Sequence, residues 1–255
     1  MRLALIVEYD GTEYHGFQYQ DRVPTIQEQI ERAINRFTGE NVRIKGAGRT
    51  DAGVYAEAQV VAFDTVSDQE PKRFERALNH HLPEDISIRA AYRVGGRFDP
   101  RRDALTRRYR YTIINREVRS PLRRRWTHLV RDELDIVTMQ EAARLFLGTH
   151  DFAGFSAPLG NAEASTVRCI VDSVLRRCGD IVTFEVEGNA FLPHQVRRMA
   201  GALVDIGRNR MKLDQVERML ARRPDSGVAH SLPPQGLCLV GVTYSNFPPR
   251  NGEIQ

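Results

Sequence analysis

The order of strand-like and helix-like segments limits the fold of this chain more than any other feature of its sequence. The first half predicts two helices, one opening at the capping pair Thr25 and Glu28 and ending at Gly39, the other opening at Pro71. Alternating or continuous apolar runs predict strands at 3–9, 42–45, 57–64 and 86–92. The resulting order is β-α-β-β-α-β, the split βαβ arrangement of ferredoxin-like domains.

The second half repeats this order with longer segments, although the two halves share negligible sequence similarity. Its predicted strands lie at 109–115, 166–177, 181–187 and 236–244. Its predicted helices lie at 135–147 and from about 192. We therefore expect an α+β protein of two joined ferredoxin-like (βαββαβ) halves with a mixed, mostly antiparallel sheet. The predicted domains are 1–105, which contains the glycine-rich loop described below, and 106–247, followed by a tail at 248–255.

Composition excludes several classes of protein. The chain has 255 residues, and no run approaches the roughly 18 apolar residues of a membrane span. Its first eight residues form too short an apolar run for a signal peptide. The three cysteines, Cys169, Cys178 and Cys238, are odd in number and lack metal-ligand spacing. We expect a reducing, cytoplasmic location and no bound metal.

The octapeptide at 48–55 (GRTDAGVY) is the first candidate site. Glycines at 46, 48 and 53 allow sharp bends and a close approach to the main chain. Arg49 lies two residues before Asp51, and a positive neighbour favours the charged form of a carboxylate. A carboxylate held in this way is suited to nucleophilic attack. The alternative is an ordinary turn in which Arg and Asp form a structural pair.

A second candidate site lies in an arginine cluster between residues 97 and 131. Twelve arginines and three acidic residues occur in this span, which favours a phosphate backbone over an acidic protein or a solvated face. Within it, two tyrosines alternate with arginines along one predicted strand. Tyrosines stack on bases and arginines bind phosphates, although an ordinary strand with inward tyrosines would show the same alternation. These residues are Arg107, Arg108, Tyr109, Arg110 and Tyr111.

The third candidate site is the stretch 189–198. Arg197 and Arg198 lie beside the apolar stripe of a predicted helix, so that one of them could reach a carboxylate. An exposed helical arginine is the alternative.

These three sites belong to a longer series of motifs, which together resemble one family. In chain order the motifs are Tyr9-Asp10-Gly11-Thr12, Gly16-Phe17-Gln18, Thr25-Ile26-Gln27-Glu28, Gly48-Arg49-Thr50-Asp51-Ala52-Gly53-Val54, Asn79, Leu82-Pro83, Phe98, Arg108-Tyr109-Arg110-Tyr111, Gly148, His150-Asp151-Phe152, Asn189-Ala190-Phe191-Leu192, Val196-Arg197 and Gly236-Leu237-Cys238-Leu239-Val240. Over nearly its whole length, the chain resembles the tRNA pseudouridine synthase A (TruA) family.

The resemblance implies a pseudouridine synthase fold and the isomerisation of uridine to pseudouridine at positions 38, 39 and 40 of the tRNA anticodon stem-loop. It implies that Asp51 is the catalytic nucleophile, that Tyr109 stacks on the target uracil and that Arg197 pairs with the aspartate. Arg49 would help to displace or replace the flipped base. Arg107, Arg108 and Arg110 would be candidate contacts for the RNA backbone. The family works as a homodimer on tRNA, without a cofactor, a metal or a membrane.

The sequence departs from the family pattern at two places. Position 55 is Tyr where the family usually has His, and 193–195 reads Pro-His-Gln where a His-Met pair is more usual. Neither change removes a predicted catalytic group.

Two other functions fit parts of the sequence. A non-catalytic RNA-binding protein could use the same arginines and tyrosines and would not need Asp51. An N-glycosidase could break the same bond and let water complete the reaction, but such enzymes generally need a second carboxylate. No obvious second carboxylate lies near Asp51 in the sequence.

Overall fold

The structure, a computed structural model, describes residues 1–158, 164–223 and 227–248. The chain divides into two compact units, Met1–Arg107 with Leu239–Gln255, and Arg108–Cys238. All but the first residue of the predicted tail, 249–255, lies outside the described residues. No helix in the described part of the chain is long and apolar enough to cross a membrane.

The first unit has the predicted order of elements. They are β1 (Arg2–Tyr9), α1 (Ile26–Thr38), β2 (Lys45–Gly46), β3 (Tyr55–Asp64), α2 (Pro71–His81) and β4 (Ile86–Val94). Strand β1 pairs antiparallel with both β3 and β4, and β2 pairs antiparallel with β3. The order β4-β1-β3-β2 is the ferredoxin-like arrangement, so the fold predicted for this half is confirmed.

The caps of α1 follow the sequence closely. The side-chain oxygen of Thr25 accepts a hydrogen bond from the backbone N–H of Glu28 at 3.3 Å. At the other end, Gly39 adopts the left-handed conformation (φ 77°) and donates its N–H to the carbonyl of Asn35. Between the caps, one buried stripe faces the unit's interior because its members recur at helical spacing. The stripe consists of Ile26, Ile30, Ala33 and Ile34.

Strand β2 is much shorter than the predicted strand at 42–45. The backbone of Ile44 bonds to α1 side chains instead of a neighbouring strand. Its N–H donates to Glu31 at 3.0 Å, and its carbonyl accepts from Gln27 at 3.3 Å. Because these groups are already satisfied, β-pairing begins only at Lys45.

The second unit contains β5 (Ala104–Asn115, of which residues from 108 belong to this unit), β6 (His128–Val130), α3 (Ile136–Leu145), β7 (Gly148–Asp151), β8 (Val167–Cys178), β9 (Ile181–Gly188), α4 (Gln195–Gly207) and α5 (Leu213–Leu220). Its strands follow the order β5-β9-β8-β7. Pairs β7–β8 and β8–β9 are antiparallel, and β6 runs parallel to β5. The mixed, mostly antiparallel character predicted for the sheet is therefore confirmed.

The final strand, β10 (Leu237–Tyr244), completes the predicted order of the second half. The boundary between the two compact units falls inside it, so that Leu239 and the residues after it group with the first unit. There Tyr244 packs against Phe98 and Phe247, with ring centroids 5.4 Å apart in both pairs.

The start of α4 differs from the prediction. The sequence predicts a helix from about Leu192 with Pro193 in its first turn, but α4 begins at Gln195. His194, which precedes it, has a left-handed backbone (φ 61°), and this conformation interrupts the helix on its N-terminal side. The Gln195 side chain then accepts a hydrogen bond from the Leu192 N–H at 2.8 Å, which closes the turn.

The left-handed cap of α1 gives a testable prediction. Gly39→Ala should lower the free energy of unfolding by about 1 kcal/mol, because a Cβ strains a left-handed residue. A Cβ at this position meets no atom within 4 Å, so strain is the only cost. Gly95→Ala is the matched control, since its Cβ also meets nothing and its φ is not left-handed. Urea denaturation should show a loss for Gly39→Ala alone; equal midpoints would contradict the argument.

Candidate active site

The loop at 47–54, hereafter the Asp51 loop, connects β2 to β3 in the first unit. Hydrogen bonds to β3 and one hydrogen bond within the loop hold its backbone in place. Ala47 donates its N–H to the carbonyl of Val60 at 2.8 Å, and the fully buried Gln59 side chain donates to the carbonyl of Gly48 at 2.9 Å. The Val54 N–H closes a turn onto the carbonyl of Asp51 at 3.2 Å.

The segment at 10–24, hereafter the N-terminal loop, packs against the Asp51 loop. The Phe17 N–H donates to the carbonyl of Thr50 at 3.1 Å. The side-chain oxygen of Thr50 in turn shares a 2.7 Å hydrogen bond with the Tyr9 hydroxyl at the end of β1. Thr50, the neighbour of Asp51, is thus held through both its main chain and its side chain.

Two glycines of the N-terminal loop make this packing possible. A Cβ at Gly11 would overlap the carbonyl oxygen of Val54. At Gly16, which has a φ of 94°, a Cβ would lie 2.8 Å from the carbonyl oxygen of Thr50 and 3.4 Å from the carbonyl carbon of Asp51. Only glycine allows the two main chains to lie so close together.

Asp51 and Arg49 occupy different environments in this loop. Asp51 is half-buried and begins the turn that Gly53 (φ 76°) completes, whereas the Arg49 side chain is exposed. Tyr55, the first departure from the family pattern, is half-buried, and its hydroxyl shares a 2.7 Å hydrogen bond with Thr12. The tyrosine therefore joins the N-terminal loop to the start of β3.

In the second unit, Tyr109 lies on β5 and is 8% exposed. Its ring forms a T-shaped pair with the ring of Phe191, with centroids 5.1 Å apart and planes at 81°. Phe191 belongs to the turn after β9, which Asn189 fixes onto β8. The Asn189 side-chain oxygen accepts from the Cys169 N–H at 3.1 Å, and the backbone N–H of Asn189 donates to the Cys169 carbonyl at 3.0 Å.

Arg108 and Arg110 point to the other face of β5 and form ion pairs with acidic residues of β9. Arg108 donates to Glu187 at 2.6 and 2.9 Å, and Arg110 donates to Glu185 at 3.0 Å. The hydrogen bond with Glu187 raises the pKa of Arg108. No local sequence signal indicates these partners, which lie 75 or more residues further along the chain.

Arg107 has a different environment, in the first unit, where it is 8% exposed. Its guanidinium donates to the carbonyls of Ala47, Arg101 and Ala104 at 3.1, 2.5 and 3.1 Å. It therefore ties the start of the Asp51 loop to the segment that leads into β5.

Arg197 lies half-buried on α4 beneath the segment at 229–233. Its Nε donates to the carbonyl of Leu232 at 2.7 Å, and the Leu232 N–H donates back to the Arg197 carbonyl at 3.2 Å. Arg198 donates to the carbonyl of Ala229. These contacts fix the direction of the Arg197 side chain.

Tyr111 holds the same segment from β5. Its buried hydroxyl donates to the carbonyl of Pro233 at 2.7 Å, and burial raises the pKa of Tyr111, so that the phenol stays protonated and remains a donor. Sequence reasoning missed this function. The acceptor is a main-chain atom 122 residues away, for which the sequence contains no signal.

Comparison with known proteins identifies the family. The family model described as tRNA pseudouridine synthase matches residues 5–101 and 142–245. The chain belongs to the tRNA pseudouridine synthase family. The matched ranges include Arg49, Asp51 and Arg197, whereas Tyr109 lies in the span between them.

Relatives named tRNA pseudouridine synthase A are similar over nearly the whole chain. The protein from Acetivibrio thermocellus is 43% identical over 242 residues, which are 95% of this chain and 99% of the relative. Those from Myxococcus xanthus and Pelobacter propionicus are each 42% identical, over 97% and 95% of this chain and 94% and 99% of their own lengths.

The close approach of the two loops can be tested directly. Gly11→Ala should push the N-terminal loop away from Val54 and so raise amide hydrogen exchange across 47–55, because its Cβ has no room. Gly241→Ala is the control, since a Cβ at that position meets nothing within 4 Å. Equal exchange across 47–55 in the two variants would contradict the packing described here.

Proposed function

We propose that the protein converts uridine to pseudouridine at positions 38, 39 and 40 of the tRNA anticodon stem-loop, with Asp51 as the nucleophile. The chain's membership of the tRNA pseudouridine synthase family supports the reaction. The observation that most supports Asp51 is that it is half-buried in a loop whose main chain is fixed by β3 and by the N-terminal loop. A carboxylate on so constrained a backbone is held in place before the substrate arrives.

The reaction needs one nucleophile and no change of oxidation state. The bond between uracil N1 and ribose C1′ breaks, the uracil turns, and C5 bonds to C1′. C5 then loses its proton, and N1, which kept the electron pair of the broken bond, gains one, so that the product is an isomer of the substrate. The target base must first be flipped out of its stack, which costs about a few kcal/mol. The Asp51 carboxylate attacks either the ribose or the base in this scheme, and it is released when the new bond forms.

The other site residues act on the base in this proposal. Tyr109 stacks on the uracil, and its phenol oxygen takes up the C5 proton as the hydroxyl releases its own proton to water, while the edge-to-face contact with Phe191 keeps the ring in place. Arg197, oriented by Leu232, is the partner of the Asp51 carboxylate. Arg49, which is exposed, fills the space of the flipped base.

Arg107, Arg108 and Arg110 remain candidate contacts for RNA phosphates, but their observed contacts favour another function. Arg107 bonds to three carbonyls, and the other two arginines bond to Glu185 and Glu187. In these positions they stabilise the strand that presents Tyr109. Homodimeric assembly and a cytoplasmic location also remain predictions, taken from the family resemblance and the cysteine content.

Asp51→Asn tests the central claim. We expect the variant to bind unmodified tRNA as tightly as the wild type but to release tritium from C5-labelled uracil at least about a thousandfold more slowly, because the amide cannot act as the nucleophile. The measurement is tritium release from labelled tRNA together with a binding titration of each protein.

Three results would contradict the proposal. Free uracil among the wild-type products would identify an N-glycosidase. No release by either protein, with tight binding by both, would identify a non-catalytic RNA-binding module. Equal release by both proteins would exclude Asp51 as the nucleophile.

Variants at Tyr109 separate stacking from proton transfer. Tyr109→Phe keeps the ring and should leave tRNA affinity within about threefold of wild type, whereas Tyr109→Ala should weaken it by about tenfold or more. Tyr109→Phe should nevertheless release tritium slowly, because the phenol oxygen is gone. Unchanged release by Tyr109→Phe would restrict this residue to stacking.

A further inference from the structure

The segment at 116–126, hereafter the arginine loop, connects β5 to β6 and takes no part in the proposed chemistry. It contains five arginines and one glutamate in eleven residues. Three of its large apolar side chains are exposed, Val118 by 69%, Leu122 by 90% and Trp126 by 50%. An exposed tryptophan among arginines needs a physical explanation, since large aromatic side chains are usually covered.

Two arginines of the loop fix it to the rest of the second unit. Arg116 and Arg123 both pair with Asp180, at 3.2 and 3.0 Å, in the tight turn between β8 and β9. One carboxylate thus holds the loop at its first residue and again at Arg123. Arg116 also donates to the carbonyl of Val118 at 2.7 Å, so that the first part of the loop is folded onto itself.

Hydrogen bonds within the loop order its second part. The N–H of Arg123 donates to Ser120 and the N–H of Trp126 donates to Arg123, at 3.3 and 3.2 Å. The Thr127 hydroxyl donates to the same Arg123 carbonyl at 2.8 Å. The loop is therefore a formed surface with arginines 119, 124 and 125 and the Trp126 ring on its exposed side.

We propose that the arginine loop is a second RNA-binding surface, on which Arg119 and Arg124 bind phosphates of the tRNA backbone and Trp126 stacks on an unpaired base. This inference rests on the proposed tRNA substrate. Guanidinium groups bind phosphate bidentately, and an exposed aromatic face accepts any base. The loop lies in the span between residues 101 and 142 that the family model does not match.

The charge of the loop favours RNA over a second copy of the chain. If two copies met loop to loop, each would place its arginines against those of the other, with one glutamate on each side to compensate. A phosphate backbone instead supplies the opposite charge and releases bound counterions on contact.

Trp126 provides a probe in the unaltered protein, because it is the chain's single tryptophan. Addition of unmodified tRNA should quench its fluorescence in a saturable way, at the same concentrations at which binding is seen by anisotropy of labelled tRNA. A free tryptophan derivative corrects for absorption by the RNA. Unchanged Trp126 emission through saturation of binding would overturn the stacking contact.

The double variant Arg119→Glu/Arg124→Glu tests the phosphate contacts. We expect tRNA affinity to fall at least about tenfold and the slope of log Kd against log salt to decrease by between about 1 and 2, since two phosphate contacts are lost. The rate of tritium release at saturating tRNA should stay the same, because neither residue has a part in the chemistry proposed above.

Arg73→Glu/Arg76→Glu is the matched control, made at two exposed arginines of α2. Each Arg→Glu exchange lowers the formal net charge by two, so both double variants lower it from +4 to 0. If both weaken binding equally, the effect is one of net charge and the arginine loop is not a specific surface. A change of molecular mass in solution for the loop variant alone, without loss of tRNA affinity, would show a surface between copies and overturn the proposal.

Failure of this inference can be told apart from failure of the proposed function. Tritium release by the wild type, with tRNA binding by the loop variant equal to that of the control, would overturn the arginine loop alone. No tritium release by the wild type, with the loop variant still deficient in tRNA binding, would leave the surface standing and overturn the isomerase.

Discussion

The close contact between the N-terminal loop and the Asp51 loop is the constraint on which the proposed site depends. Thr50 is bonded through its main chain to Phe17 and through its side chain to Tyr9, and no Cβ fits at Gly11. Asp51 follows directly, so its backbone cannot move unless these bonds break. The sheet contributes through Gln59, which holds the loop at Gly48. The position of the carboxylate is thus set by side chains and main chain on two sides of the loop.

The second unit holds its candidate residues by similar means. Arg197 is oriented by the main chain of Leu232, and Tyr111 holds the same segment at Pro233. Tyr109 and Tyr111 are alternate residues of β5 and so lie on the same face of the strand. One strand face therefore provides both the proposed stacking ring and the hydroxyl that supports the segment next to Arg197. A substitution at Tyr111 would act on the chemistry only through that segment.

The sequence allowed prediction of features that depend on neighbouring residues. The caps of α1 at Thr25 and Gly39, the order of elements and the glycine-rich loop all have local signals, and the structure contains each of them. Prediction failed where a contact with another element or an unusual backbone conformation decides the outcome. The strand expected at 42–45 is shortened because α1 side chains take up the backbone of Ile44, and α4 starts late because His194 is left-handed. Neither effect follows from the residue types alone.

The arginine cluster shows why a count of charges in a sequence does not locate a nucleic-acid surface. Arg107 is buried against main-chain carbonyls, Arg108 and Arg110 are neutralised by the acids of β9, and Arg116 and Arg123 share one aspartate. A guanidinium that is already paired must lose that partner to bind a phosphate, and the exchange offers little net free energy. An exposed arginine gives up only water and counterions. The exposed side of the arginine loop is therefore better suited to bind the RNA backbone than the strand that presents Tyr109.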